Sequence, residues 1–385
     1  MTILGTRPEL IKMSRVIAAL DRCFDHVLVH TGQNFDYELN EVFFKDLGIR
    51  KPDHFLEVAG ASAIETIANV LQRADAVMEQ ERPEAVMIYG DTNSGLACIP
   101  AKRRKIPIFH FEAGNRCFDA RVPEEINRRI IDHTSDINLV LTEHARRYLL
   151  AEGFPADRLF KVGSHMQEVL DYGRSGIEAS DVLQRLGLEK DGYVVVSAHR
   201  EENVDDPAKL RALVEGLNAL AGSHGLPIIV STHPRTRQRL EALPGLQISP
   251  QVTYLAPFGF FDYIRLQMEA YCVVSDSGTI AEEAALLGFP AVTLRDSHER
   301  PEGQDAGAVV VVSHLSAEAI DDAVRVARAT QPSGERRLGR VPDYEAGDVS
   351  AKVARLVSGY IDYVNRTVWS KPQVTAANSP ATDKA

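Results

Sequence analysis

The chain has 385 residues, 44% of them hydrophobic and 25% charged, with a formal net charge of -11. That length exceeds one ordinary hydrophobic core and sets an expectation of two domains. The acidic balance argues against a broad nucleic-acid surface, which needs a cationic footprint, and no stretch approaches the roughly 18 apolar residues of a membrane helix.

The opening, MTILGTRPEL, has no basic region and no cleavable apolar run, so no signal peptide is expected and the expected location is the cytoplasm. Thr2–Leu4 reads as a short strand and residues 8–20 as a helix. His26–His30 reads as a second strand, and the apolar spacing of Ile64, Ile67, Val70, Leu71, Ala74, Val77 and Met78 predicts a helix over 63–81. A strand over 85–89, a helix from about Thr92 to Arg104 and a strand over 108–112 follow. The rhythm restarts with strands at 193–197 and 228–232 around a helix at about 207–223. A strand at 272–275, a helix over 280–287 and a strand at 291–294 come next. This βαβα alternation implies parallel sheets with helices on both faces. The stretch near 165–190 is helical without a clear strand. The expected division is therefore 1–168 and 169–349, with a helix at about 350–370 returning to the first unit and a disordered tail over 371–385.

The four cysteines (Cys23, Cys98, Cys117, Cys272) are widely spaced with no CxxC pair, which fits reduced thiols rather than a disulfide framework or zinc site. His30, His110 and His133 read as packing residues. No HExxH, GxSxG, P-loop or GxGxxG pattern is present, which disfavours a metalloprotease, a serine hydrolase, a P-loop enzyme and NAD.

Ligands of open parallel sheets bind beyond the carboxyl ends of the strands, and polar clusters stand at those ends in both halves. They are Gly5-Thr6-Arg7-Pro8-Glu9, Thr31-Gly32-Gln33, Gly90-Asp91-Thr92, Glu112-Ala113-Gly114, Ser197-Ala198-His199-Arg200, Ser231-Thr232-His233-Pro234-Arg235 and Ser275-Asp276-Ser277-Gly278-Thr279. Together they point to a cleft between two domains. At the last cluster a helix start offers unpaired N–H groups to a phosphate. The plainer alternative is an ordinary N-cap supported by Glu282 or Glu283. A second cluster, Glu112, Arg116, Asp119, Glu124, Glu125, Arg128 and Arg129, is dense enough in charge to raise a carboxyl pKa and move protons. Its alternative is a solvated loop with a Glu124/Arg128 pair.

These motifs resemble, in order, those of the non-hydrolysing UDP-N-acetylglucosamine 2-epimerases: GTRPELIK (5–12), TGQNFDYELN (31–40), YGDTNS (89–94), EAGNR (112–116), PEEINRR (123–129), SAHREEN (197–203), STHPR (231–235), SDSGT with its glutamates (275–283) and ERPE (299–302). The resemblance implies a GT-B fold, two Rossmann-like parallel-sheet domains facing a cleft. It implies inversion at C2 of a UDP-N-acetylhexosamine: UDP is eliminated to leave a 2-acetamidoglycal, then added back after reprotonation on the other face, with no cofactor and no metal. Carried onto this sequence, it gives Asp91, Glu112, Glu124, His199 and Lys12 as catalytic candidates. Arg7, Gln33, Arg116, Arg128, His233, Ser277, Gly278, Glu283 and Arg300 are the candidates for holding UDP and sugar. It also implies a homodimer and, in some members, an allosteric UDP-sugar, and it implies neither a nucleic-acid nor a membrane partner.

SGT where the commonest members have SGG, SAHR where they have GHR, and a shorter EAG-to-PEE loop are departures. With AGNRCFD and PFGFFDY they resemble the branch that converts UDP-2-acetamido-2,6-dideoxy-L-talose to UDP-N-acetyl-L-fucosamine. Conversion of UDP-GlcNAc to UDP-ManNAc stays open beside it. The competing readings are a hydrolysing epimerase, a GT-B glycosyltransferase and a non-catalytic nucleotide-sugar binder.

Overall fold

Residues 1–33, 47–295, 299–331 and 338–372 are described in the computed structural model. Most of the TGQNFDYELN stretch and the tail expected to be disordered beyond Pro372 lie outside the described residues.

Thirteen strands fall into two wholly parallel sheets among the described residues. The first contains β1 (Thr2–Leu4), β2 (Leu28–His30), β3 (His54–Phe55), β4 (Val86–Tyr89), β5 (Ile108–Phe111), β6 (Ile137–Val140) and β7 (Leu159–Lys161). The second contains β8 (Val194–Ser197), β9 (Ile228–Ser231), β10 (Val252–Leu255), β11 (Cys272–Ser275), β12 (Ala291–Thr293) and β13 (Val310–Val311). The orders are β3-β2-β1-β4-β5-β6-β7 and β10-β9-β8-β11-β12-β13. Each sheet reverses its winding direction once, between β1 and β4 and between β8 and β11. Loops leaving those strands diverge to opposite faces and open a crevice.

Alternation along each strand feeds two cores. Leu4, Met87 and Tyr89 point to one face of the first sheet, where Leu10, Met13 and Ile17 of the helix Arg7–Cys23 cover them. Ile3, Val86 and Ile88 point to the other, against Val70, Ala74 and Met78 of the helix Ala63–Glu81. In the second sheet Val194 and Val196 meet Leu213 and Leu217, while Val195 and Val273 meet Leu266 and Ile280. Burying each such side chain contributes about 1.5–3 kcal/mol.

The helix Val349–Thr367 returns to the first sheet, inserting Val353 and Val357 beside the helix Arg7–Cys23. The helix Met166–Ala179 touches both Arg7–Cys23 and Phe260–Glu269, and so lies between the two sheets. Asp343, ahead of the returning helix, accepts from the backbone N–H of Glu143 and of Ser164 and pairs with Lys161.

Three expectations are corrected. The helix expected over 92–104 is a 3-10 turn, Asn93–Ala97, followed by an α-helix, Cys98–Arg103; Pro100 has no N–H to donate back to Leu96 in an α-helical register. His133 is exposed, its ring lying 4.6 Å from that of Phe154 at the surface, because it falls on the outward face of the helix Pro123–Thr134. Arg128 pairs with Asp91 and Glu125, not with Glu124. The short strands β3, β6, β7, β10 and β13 carry too little periodic signal to stand out from sequence.

Candidate functional site

The loops after β1, β4 and β5 form one wall. Thr6 caps the helix Arg7–Cys23 in a reciprocal capping box. Its hydroxyl accepts from the Glu9 N–H, while Oε2 of Glu9 accepts from the N–H groups of Gly5 at 2.6 Å and Thr6 at 2.9 Å. Oε1 of Glu9 accepts from the Thr92 hydroxyl at 2.7 Å, which ties the β1 loop to the β4 loop. Gly5 is obligatory here, since a Cβ would lie 2.0 Å from the hydroxyls of Ser94 and Thr31. Gln33 joins the same knot by accepting from the Ser94 hydroxyl at 3.1 Å.

Asp91 leaves β4 and receives Arg128, whose Nη2 and Nε stand 2.8 and 3.0 Å from Oδ2. Asn127 Nδ2 donates to the Asp91 carbonyl at 3.1 Å. Although 27% of the Asp91 side chain still reaches solvent, the cleft walls withdraw it from bulk water and push its carboxyl up. Arg128 opposes that rise, and Glu112, Glu299 and Glu124 add to it. Glu124, in the first turn of the helix Pro123–Thr134, lies within electrostatic reach of Asp91 and of Arg200.

Glu112 leaves β5 with φ +72°, a left-handed backbone that costs a non-glycine residue about 1–2 kcal/mol. The twist delivers its carboxylate to Lys12 Nζ at 3.4 Å, Asn115 Nδ2 at 3.4 Å and Arg300 Nη2 at 2.5 Å. Burial raises this carboxyl, but Lys12 and Arg300 outweigh burial and hold it well below the usual carboxylate range. The two acids therefore sit in opposed environments. The Asp91 carboxyl is pushed up and the Glu112 carboxyl is held down.

The facing wall is built at the second reversal of winding. The buried carboxylate of Asp276 accepts from the backbone N–H of His199 at 3.0 Å and of Arg200 at 2.9 Å, and from Asn203 Nδ2 at 3.1 Å. His199 Nδ1 stands 3.2 Å from Asp276 Oδ1, which orients the ring. Burial lowers the His199 pKa, and Asp276 opposes that. Arg7 from the opposite wall lies within electrostatic reach of the ring.

Next to it, Ser277 and Gly278 precede the helix Ile280–Leu287, whose N-cap Thr279 makes no side-chain cap. The Thr279 hydroxyl instead donates to Glu283 Oε1 at 2.7 Å, and Gln267 donates to Glu283 Oε2 at 2.7 Å. The Ser277 hydroxyl accepts from the Thr279 N–H at 3.3 Å, so part of the plainer serine-and-glutamate arrangement is present at this turn. A Cβ on Gly278 would stand 2.7 Å from Glu299 Oε1, 3.3 Å from Arg295 Nη1 and 3.4 Å from Arg200 Nη2. Gly278 thus floors a cradle walled by guanidinium groups at the N-terminus of a helix without a side-chain cap, an arrangement suited to a diphosphate. Glu299 lies there too, 2.9 Å from Arg295. Burial would raise its carboxyl, but Arg295, Arg128 and Arg200 bring it down to about 2.

Arg300 closes the site from behind. Besides Glu112 it lies 3.5 Å from Glu282, which accepts from the Ser164 hydroxyl. His233 caps the helix Pro234–Glu241, its ring 6.4 Å from that of His199 at the cleft edge. Arg116 is a correction. Its side chain is fully buried, donating to Asp132 and, twice, to Glu152, each at 2.7 Å, so it braces the β5 loop instead of reaching a ligand. Arg200, Asp276 and Glu299 stood in the sequence motifs without an assigned role, and Arg295 was not singled out from sequence. Only their places beside His199, in SDSGT, beside Arg300 and at the end of β12 hinted at them. Among the described residues no group of three His, Cys, Asp or Glu is placed to hold a metal, and no helix is long and apolar enough to cross a membrane.

A family model described as UDP-N-acetylglucosamine 2-epimerase matches residues 18–358. A Pseudomonas aeruginosa protein named UDP-2,3-diacetamido-2,3-dideoxy-D-glucuronate 2-epimerase is 36% identical over 364 residues, covering 93% of this chain and 99% of the relative. The structure of UDP-N-acetylglucosamine 2-epimerase from Rickettsia bellii matches with a TM-score of 0.89 at 53% identity, covering 96% of this chain and 99% of that one. The Methanocaldococcus jannaschii UDP-GlcNAc 2-epimerase, in complex with UDP-GlcNAc and UDP, matches with a TM-score of 0.85 at 32% identity, covering 93% and 99%. The two parallel-sheet α/β domains share the GT-B-like architecture of these structures.

Proposed function

The chain belongs to the UDP-N-acetylglucosamine 2-epimerase family, and from that premise we propose that it inverts C2 of a UDP-N-acetylhexosamine by eliminating UDP and adding it back. The observation that carries the reading is the placement of Asp91 and Glu112 in opposed environments, one carboxyl pushed up by burial and the other held down by Lys12 and Arg300, across from the cradle of Gly278, Arg200 and Arg295. Epimerisation needs a proton taken from one face of C2 and another delivered to the opposite face. Two carboxyl groups whose environments push their pKa values apart suit that division.

In the first half-reaction a carboxylate takes the C2 proton. The C–H electrons form the C1=C2 bond, and the C1–O electrons leave with the β-phosphate oxygen as UDP. The cradle and His199 stabilise the charge developing on that oxygen. In the second half a carboxyl returns a proton to the other face of C2, and the same UDP oxygen attacks C1. In this reading Glu112 and Asp91 carry the protons, Glu124 supports Asp91, and Lys12 and Arg300 keep Glu112 charged. Arg7, Arg128, Ser277 and Glu283 line the nucleotide, and Gln33 and His233 border the cleft.

The variant motifs support the L-talose nucleotide as substrate, giving UDP-N-acetyl-L-fucosamine. The 53% identity to the Rickettsia bellii protein supports the second reading, UDP-GlcNAc to UDP-ManNAc. Incubation with each nucleotide in D2O, followed by NMR of C2, tests both. Deuterium at C2 with inversion and no accumulating UDP is expected for the true substrate. Free sugar with stoichiometric UDP would instead mark a hydrolase, and absence of exchange with either would remove these sugars from the proposal.

A homodimer is proposed on the exposed Ile126 and Ile130 of the helix Pro123–Thr134 and on nearby Phe118. Light scattering on the Ile126→Glu, Ile130→Glu double variant should show monomer where the parent shows dimer. Allosteric binding of a second UDP-sugar is carried by family likeness alone, and a sigmoidal rate curve would reveal it.

A further inference from the structure

Asp91 and Glu112 leave neighbouring strands, so their carboxyl groups serve one carbon only while the two loops keep a fixed offset. A buried pair that no step above uses lies between those loops. His110 is the third residue of β5 and Asp132 belongs to the helix Pro123–Thr134, and both are 0% exposed. His110 Nδ1 stands 2.8 Å from Asp132 Oδ1, and Nε2 stands 2.8 Å from the Gly90 carbonyl oxygen.

The contacts reach both acid-bearing loops. A carbonyl oxygen only accepts, so Nε2 donates to Gly90, whose carbonyl belongs to the peptide that leads into Asp91. Asn127 Nδ2 holds the next carbonyl, that of Asp91 itself, at 3.1 Å. The peptides on both sides of Asp91 are thus fixed by side chains. Asp132 accepts in turn from the backbone N–H of Gly114 at 3.2 Å, two residues beyond Glu112, and from Arg116 Nη1 at 2.7 Å. One line of hydrogen bonds therefore runs from the Gly90 carbonyl through His110 and Asp132 to the Gly114 N–H. Gly90, Glu112 and Gly114 all have positive φ, at +66°, +72° and +81°. Both chains turn out of the sheet at these residues, where the regular ladder stops guiding them. The packing role expected of His110 accounts for its burial and not for these bonds. Ile108, on the same face of β5, packs there with no polar atom at all.

We propose that His110 is a positioning residue that, with Asp132, sets the offset between the Asp91 and Glu112 loops. The proposal rests on the epimerase reading. Without Nε2 the Gly90 peptide is free to rotate, and the Asp91 carboxyl leaves the place from which it reaches C2. The effect falls on the chemical step. UDP binding is spared, because the cradle of Gly278, Arg200 and Arg295 belongs to the loops of the second sheet.

The test compares three substitutions. A glutamine amide reaches about as far as Nε2, so His110→Gln keeps the Gly90 bond. An asparagine amide reaches about as far as Nδ1, so His110→Asn keeps the Asp132 bond alone. His110→Phe keeps the ring and neither bond. In the Asn and Phe variants kcat should fall about tenfold or more, while KM and the Kd for UDP stay within about threefold. The Gln variant should recover most of the loss. Should the Phe variant fail to fold, Asn against Gln decides the matter alone. An Asn variant with kcat within about twofold of the parent, or a Gln variant as slow as Asn, overturns the proposal in favour of simple packing. A Kd for UDP that rises in step with the loss of kcat marks general distortion and overturns it too. A parent chain that exchanges no C2 proton with either nucleotide overturns the functional reading, and this proposal falls with it. A fully active Asn variant of an active parent overturns this one alone.

Discussion

Arg300 reaches across 188 residues of sequence to place Nη2 2.5 Å from Oε1 of Glu112. One residue follows β12 and the other follows β5, so the contact joins the second sheet's machinery to the first sheet's carboxylate. A buried pair of this kind contributes little net stability, because desolvation of both charges offsets their attraction. Its consequence is chemical. It holds Glu112 ionised at neutral pH, while burial pushes the carboxyl of Asp91, outside this clamp, upward.

Asp91→Asn and Glu112→Gln should each reduce C2 deuterium exchange by about a thousandfold or more while leaving the Kd for UDP within a few-fold. Neither carboxylate lies in the Gly278 cradle, so binding and proton transfer should separate. Exchange kinetics in D2O and calorimetry with UDP check this. Near-parental exchange in both variants would remove the proton-transfer assignment.

Gly278→Ala should weaken UDP binding by about tenfold or more without unfolding the chain. The added methyl would sit 2.7 Å from Glu299 Oε1 and within 3.4 Å of the Arg295 and Arg200 guanidinium groups. It takes the space through which a phosphate oxygen approaches the backbone. Titration of UDP against parent and variant reads the effect, and a melting temperature within a few degrees separates it from misfolding.

Arg116→Ala should act on stability and not on substrate contact. It leaves Asp132 buried without its guanidinium, and Glu152 loses two hydrogen bonds. Breaking such a buried network costs about 3–5 kcal/mol. Urea denaturation should show that loss. A stable variant with only a raised KM would return Arg116 to the substrate site.

Asp91→Asn should also stabilise the protein once the pH rises above the range in which a free aspartate ionises. The native Asp91 carboxyl is raised above its ordinary value of 3.8, so the native state retains a proton that the unfolded chain has already released. Stability therefore falls as pH rises through the unfolded value, and the loss is complete above the folded value. Asparagine, which does not ionise, escapes it. Melting temperatures of the two proteins should converge below the ordinary aspartate value of 3.8 and separate as pH rises through it, with the variant higher. A variant less stable at every pH would show that the Arg128 contact outweighs desolvation.

The strands that form the centres of both sheets were legible in the sequence, because each is a short apolar run ended by Gly, Asp or Ser and followed by a helix. β1, β4, β5, β8, β9 and β11 fall where the pattern puts them, within a residue or two at their ends. Their ends carry Asp91, Glu112, His199 and Ser277, so most of the candidate site could be read as motif positions. The edge strands, two to four residues long, left no such trace.

The sequence by itself determined two parallel α/β units and the polar residues at their strand ends, because hydrophobic periodicity and turn chemistry are local. What only the tertiary structure decided is which charges meet. Arg116 stood in the EAGNR motif like a ligand, yet folding turns it inward to Asp132 and Glu152. Arg200, Arg295 and Glu299 come from the ends of β8 and β12 and meet around Gly278 only in the folded chain. The pKa of a carboxyl depends on burial and on charges within a few ångströms, and neighbours such as Glu112 and Arg300 are near each other only after the chain has folded.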